Sequence, residues 1–233
     1  MDLWLAWVRG PLFRIAFAFL VLGLVRHVAL AVFEIVFAVR RAGDKNIPYG
    51  KLVRATIGWL VPARKARHRP FFSLTTVAFH ISIVIVPIFL AGHILLWRRA
   101  TGLGWPALPN AVADVLTAVA VAAAVLLVIE RIVGREARAL SRFSDYAFPL
   151  LVGIVFASGF LVMHPGLSPV PFRPALLVHV LSAELILILI PFSKLSHVFL
   201  MPLTHVISEV AWHFPPHAGR EVGLALGKEN EPV

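Results

Sequence analysis

Four histidines sit where a chain of this composition should not tolerate them. His80 and His93 lie inside one long apolar segment, and His179 and His197 lie within and just beyond another. Burying imidazoles in hydrocarbon is costly unless each has a partner. Histidine is also the commonest protein ligand to haem iron. His80 and His93 are 13 residues apart, about 20 Å along a helix at 1.5 Å per residue, a spacing that suits two irons stacked through a bilayer. His179 and His197 are 18 residues apart, about five turns, so an unbroken helix would present both on one face. The first pair falls more than a third of a turn out of phase. Pro87 and Gly92 could absorb that difference, since Pro and Gly are the usual sources of kinks. Read together, four histidines at matching depths on two antiparallel helices suggest two bis-histidine b haems, an electron path across a membrane.

The rest of the chain supplies that setting. It is 59% hydrophobic and 15% charged, with a mean hydropathy of +0.86, far from a soluble domain. Its 233 residues allow five spans at about 20 residues each. The absence of cysteine removes iron–sulfur clusters, disulfides and covalently attached haem from this chain itself. A pI near 11.2 could point to nucleic acid, but the basic residues cluster in loops beside apolar segments. That is the pattern of positive-inside topology, and no nucleic-acid partner is expected.

The expected fold is all-α, an integral membrane bundle of five transmembrane helices. The spans read as about 11–38, 73–97, 111–129, 146–163 and 175–190. The first has no small-residue cleavage site after a short apolar core and reads as a retained anchor. Nine Lys and Arg residues fall between Arg40 and Arg69. Within that stretch Leu52-Val53 and Ile57–Val61 suggest an interfacial helix in the first cytoplasmic loop. Pro191 should kink or redirect the fifth helix, whose amphipathic continuation reaches at least His205. A bundle domain over 1–205 and a cytoplasmic tail over 206–233 follow, the tail extended and solvent-facing from Trp212 onward. Arg131, Arg135, Arg138 and Arg142 join the first basic loop on one side, which places the amino terminus outside and the carboxyl terminus in the cytoplasm.

Several motifs resemble a known family. His179, then Pro191-Phe192-Ser193-Lys194 and His197, is similar to the last helix of the respiratory nitrate reductase gamma subunit. Ala91-Gly92-His93 resembles its Gly-His on the second helix, and Gly23-Leu24-Val25-Arg26 its first-helix glycine and arginine. The interval of 13 residues in helix two, with Ser141–Tyr146 leading into helix four, is closer to the gamma-like cytochrome b subunits of dissimilatory sulfite-reduction and heterodisulfide-reductase-like complexes. The resemblance implies a di-haem b subunit of a hetero-oligomeric complex in a prokaryotic cytoplasmic membrane. Such a subunit exchanges electrons between quinone (menaquinone or ubiquinone) and a cytoplasmic iron–sulfur protein. Helices two and five run in opposite directions, so His80 and His197 would hold the proximal haem and His93 and His179 the distal one.

The remaining polar residues at span depth fall into place around that reading. Arg26 could bind a haem propionate or snorkel to the interface, and His27 beside it suits a surface or propionate contact. Gly92 could admit a flat ring or a close helix. Together with Arg98, Glu184 and His164 it would make up an outer-level quinone site. Glu184 is otherwise expected to hydrogen-bond a neighbouring helix, Glu34 to be interfacial, and Asp114 to be a helix-start residue. His68 reads as solvated, and His205, His213 and His217 as interfacial or solvent-exposed. Two other classes of function stay open, a proton-relay transporter built on the histidines and a membrane anchor without redox chemistry.

Overall fold

The computed structural model describes residues 2–60 and 69–228. His68, Lys65 and the stretch from Glu229 to Glu231 lie outside the described residues. Among the described residues the chain is helical and contains no strand. Five helices are long and apolar enough to cross a membrane, Asp2–Arg41, Pro70–Phe89, Asn110–Val133, Phe143–Met163 and Phe172–Phe192. The expected all-α membrane bundle is the fold observed, and its surroundings are a lipid bilayer.

Helix α1 (Asp2–Arg41) extends the first expected span at both ends. Pro11 has no N–H to give and lies in a π-helical turn over Val8–Leu12, the local widening that lets a helix pass a proline. Helix α2 (Tyr49–Leu60) stands where the interfacial helix was expected. It buries Leu52 and Thr56 while Tyr49, Val53 and Ile57 remain exposed along its other face. The second span is not one helix. It is α3 (Pro70–Phe89), opened by a proline at its first turn, and α4 (Ala91–Thr101), with Leu90 extended between them at φ −72° and ψ 130°. Helices α5 (Asn110–Val133), α6 (Arg135–Leu140), α7 (Phe143–Met163) and α8 (Phe172–Leu189) follow. At the start of α7 the Arg142 N–H donates to the Asp145 carboxylate at 2.8 Å, half of a capping box that fixes where the fourth span begins.

The chain divides into two compact units. One comprises residues 1–16 and 63–186, the other 17–62 and 187–233. In the first, α5 packs against both α3 and α7. Ala120, Ala123 and Ala124 are nearly inaccessible and face Phe79 and Val86 of α3 and Val152 and Phe156 of α7. Small side chains allow close helix approach where lipid offers no hydrophobic drive of its own.

In the second unit, Ala38, Ala42, Ile47, Leu52 and Val210 form a separate core that joins α2 to α9 (His197–Ala211). Helix α9 runs through the expected boundary at residue 206. The stretch after Trp212, expected to be extended and solvated, is folded. It turns into α10 (Ala218–Ala225), and Gly43 and Asp44 donate their N–H groups to the carbonyls of Phe214 and His213, each at 3.1 Å. His213, expected at an interface or in solvent, is buried, its Nδ1 3.5 Å from the Asp44 carboxylate. The reason is local. Asp44 gives the returning chain an acceptor that its own apolar neighbours lack.

That latch should respond to acid. The Asn46 N–H hydrogen-bonds the Asp44 carboxylate at 2.9 Å, and this bond, with His213 and the Gly219 N–H and against the opposing effect of burial, holds its carboxyl below the usual carboxylate range. A carboxyl lowered on folding stabilises the fold above its unfolded pKa of about 3.9 and loses that contribution as pH falls through the folded value. Amide hydrogen exchange of α10 should therefore quicken below about pH 4, and Asp44→Ala should exchange fast at every pH. Exchange that is slow in Asp44→Ala at neutral pH would show that the carboxylate does not hold the latch.

Candidate metal centre

The break at Leu90 creates the environment of His93. Once α3 stops, the carbonyls of Pro87, Ile88 and Phe89 lose the N–H groups that a continuing helix would supply four residues on, and each finds a substitute. The His93 ring donates its Nδ1–H to Pro87 O at 3.1 Å. The Trp105 indole donates to Ile88 O at 2.8 Å, and Leu108 N–H to Phe89 O at 2.9 Å. A carbonyl can only accept, so the ring nitrogen on Pro87 O must carry the proton. The neutral imidazole then has its lone pair on Nε2.

His179 is held the same way from the neighbouring helix. Its Nδ1 donates to Val155 O of α7 at 3.0 Å and lies 3.5 Å from Ser158 Oγ. Gly159 supplies the room. A Cβ there would stand 2.9 Å from Cε1 and 3.1 Å from Nδ1 of His179, closer than carbon and an aromatic ring tolerate.

These two rings come together. Their centroids are 6.3 Å apart and their planes differ by 2°. Imidazoles bound to metals lie at about 2 Å through nitrogen, so two on opposite sides of one iron have ring centres about 6 Å apart. The separation is that of two imidazoles sharing one iron, both Nδ1 protons are spent on carbonyls, and both Nε2 lone pairs are left as donors. Among the described residues no three His, Cys, Asp or Glu side chains gather as a metal site. A metal that arrives in a macrocycle with four ligands of its own needs only two more.

The other two candidate ligands lie in different units and share the tautomer. His80 on α3 donates its Nδ1–H to Thr76 O at 2.7 Å and stands edge-on to Phe79, with centroids 5.6 Å apart. His197 opens α9 and donates to Lys194 O at 2.7 Å. The helix between His179 and His197 is interrupted at Pro191, as that proline predicts. Helix α8 ends at Leu189, a turn covers Ile190–Phe192, Ser193 is extended, and a further short turn covers Lys194–Ser196. The five-turn phase argument therefore does not apply. Pro191 removes one N–H, and Ser193 Oγ accepts from Leu195 N–H at 3.2 Å to start the chain afresh. Pro191 packs on α1 at Gly23, where any side chain would overlap the proline ring.

The remaining histidines differ. His27 puts Nε2, not Nδ1, on Pro191 O at 2.6 Å, the nitrogen that His93 and His179 leave as a lone-pair donor. His205 pairs Nδ1 with Thr56 Oγ1 at 3.0 Å. His164 closes α7 with Nδ1 on Phe160 O at 3.1 Å and its ring stacked on Phe160 at 4.3 Å. Its Nε2 meets the Asp114 carboxylate at 3.3 Å, so Asp114 is a side-chain partner of His164; the expected helix-start role does not hold, since α5 begins at Asn110 and its first turn carries no acidic residue.

Among the described residues Arg26 is exposed and no carboxylate pairs with it. Glu184 is 2% exposed, and the bond expected to a neighbouring helix is not formed, since neither oxygen has a hydrogen-bond partner among the described residues. A Cβ at Gly92 would meet no atom within 4 Å, so close helix packing does not explain that glycine. Arg98 lays its aliphatic stem 3.5 Å from the Cβ position of Gly104 and is exposed. Reading the sequence missed Ser158, Gly159 and Trp105. Only Ala157-Ser158-Gly159, a run of small residues inside an apolar span, gave any signal.

No family model matches the chain, and no solved structure matches it. A curated protein of Nitratidesulfovibrio vulgaris strain Hildenborough is 38% identical over 151 residues, which are 64% of this chain and 65% of the relative. This chain thus covers just under two thirds of that relative, whose name states no activity.

Proposed function

We propose that this chain is the membrane cytochrome b subunit of a respiratory complex, carrying electrons between the quinone pool and a cytoplasmic iron–sulfur partner. The observation that carries this reading is the His93–His179 pair, parallel to 2° with centroids 6.3 Å apart and each Nδ1 fixed on a carbonyl. A carbonyl behind an imidazole sets its tautomer and raises its basicity, which is how protein surroundings tune a metal ligand. His93 and His179 would hold the outer haem b, and His80 and His197 the inner one. Haem supplies the one-electron redox chemistry, while the chain supplies ligands, spacing and a dry apolar path. The motif resemblance to nitrate reductase gamma-like subunits supports the same assignment.

The protein's other residues take roles that fit. Arg26, a cation at span depth with no carboxylate partner among the described residues, suits a haem propionate. The basic segment from Arg40 to Arg69 and the Arg131–Arg142 loop would face the cytoplasm by the positive-inside bias, with the amino terminus outside. That surface, with the folded tail, suits an acidic iron–sulfur subunit. The quinone site would lie at the outer level, where open space beside Gly92 admits a flat ring. There Arg98 would donate a hydrogen bond to a quinone oxygen, the His164–Asp114 pair would accept a proton from quinol, and buried Glu184 would store one.

A reduced-minus-oxidised optical spectrum of the purified chain tests the reading directly. Two b-type haems per chain are expected. No haem signal from protein produced with ample haem would sink the proposal and return the histidines to proton relay or plain structure.

A further inference from the structure

The break at Leu90 is held open from a distance. Pro87 itself cannot account for it, because a proline deprives only the carbonyl four residues earlier, and α3 continues to Phe89. What the break requires is that three carbonyls be satisfied outside the helix, since a backbone acceptor at span depth has no water to turn to. Leu108 N–H and the Trp105 indole take two of them. Both belong to the segment after α4, where Gly102 closes that helix in the left-handed conformation at φ 80° and turns the chain back. Trp105 also meets Trp97 of α4, with ring centroids 6.4 Å apart, so the indole braces both sides of the break. The third carbonyl, that of Pro87, is then left to His93. Were α3 to continue into α4, the Ala91 N–H would take that carbonyl, and the His93 ring would lose its acceptor.

We propose that Trp105 is a positioning residue for His93, and that by holding the helix open it sets the electron-donating strength of that ligand. The inference rests on the two-haem reading and adds a control on the outer centre. An imidazole whose Nδ1–H is hydrogen-bonded is the stronger donor and favours oxidised iron. Removing the indole N–H should therefore shift the outer haem to a more positive potential and leave the inner haem where it was.

Redox potentiometry and electron paramagnetic resonance of the full chain in membranes test this. In Trp105→Phe the outer couple should move positive and its low-spin signal should change, with the inner couple fixed. Trp105→Gln, which restores an N–H donor on a smaller side chain, should return the potential toward wild type. Leu103→Ala, on the same segment but with an exposed side chain, should change nothing. Both haems retained in Trp105→Phe at unmoved potentials would overturn the inference while leaving the two-haem reading intact. If Trp105→Phe loses the outer haem, retention of it in Trp105→Gln supports the donor role, and its loss there too overturns it in favour of packing. A wild-type chain without haem removes the reading and this inference together.

Discussion

Replacing His93 or His179 by alanine should remove one haem and spare the other, cutting the b-type absorbance to about half. The two variants should lose the same redox component, because their ring centroids lie 6.3 Å apart in parallel planes and both would bind one iron. His80→Ala and His197→Ala should each lose the other component. The two arms rest on different footings. The outer pairing rests on observed geometry within one unit. The inner pairing rests on the opposite directions expected of spans two and five, and on the Nδ1–H bonds that His80 and His197 make to Thr76 O and Lys194 O, each at 2.7 Å. Spectroscopic potentiometry on the four variants separates them. Loss of one and the same component from His80→Ala and His93→Ala would refute the pairing and leave haem binding standing. His27→Ala should keep both haems, since its Nε2 is already committed to Pro191 O. The loss in each ligand variant should be nearly complete for its own haem, because a lone axial imidazole gives up half of the protein's bonds to the metal.

What the sequence revealed was set by how local each signal is. Spans show because apolar length is a property of a single window, and five such windows became five helices. The candidate ligands show because a polar ring in an apolar run is conspicuous wherever it ends up. The break at Pro191 showed, since the fifth span was expected to turn there and α8 ends at Leu189. The break after Phe89 showed only in part, for a physical reason: Pro87 and Gly92 mark a helix at risk, but where it opens depends on which distant groups can satisfy the freed carbonyls. Trp105 and Leu108, which do so for α3, lie beyond α4 in a stretch that reads only as loop. The fit of Gly159 under His179 is likewise a tertiary fact, since a glycine in an apolar helix gives no hint of which ring it makes room for. The tail misled in the opposite sense. Pro215-Pro216 and a charged end suggest solvent, whereas Asp44, more than 160 residues earlier, holds the chain down through His213.

The two glycines around the outer pair should separate ligand binding from substrate binding. Gly159→Leu should abolish the outer haem. Its Cβ alone would stand 2.9 Å from the His179 ring, so the ring must leave both the Val155 carbonyl and the face of His93, and adding bulk to a packed site costs about 1–3 kcal/mol before any ligand is lost. The inner haem should stay, because neither His80 nor His197 touches that position. Gly92→Leu is expected to do the reverse. Nothing lies within 4 Å of a Cβ there, so the leucine enters without disturbing His93 and both haems should remain. It would fill the open space beside His93 that the proposed quinone ring needs, and stopped-flow reduction of the haems by a quinol analogue should slow at least tenfold, about 1.4 kcal/mol of lost stabilisation. Arg98→Gln should slow the same step with both haems present, since it removes the cation expected to hold a quinone oxygen. The order of reduction gives the decisive comparison. In the wild type the outer haem should be reduced first. If the inner haem leads, and Gly92→Leu reacts at the wild-type rate, the quinone site belongs at the cytoplasmic level. Proton release at the outer surface through His164 and Asp114 would then have to be abandoned.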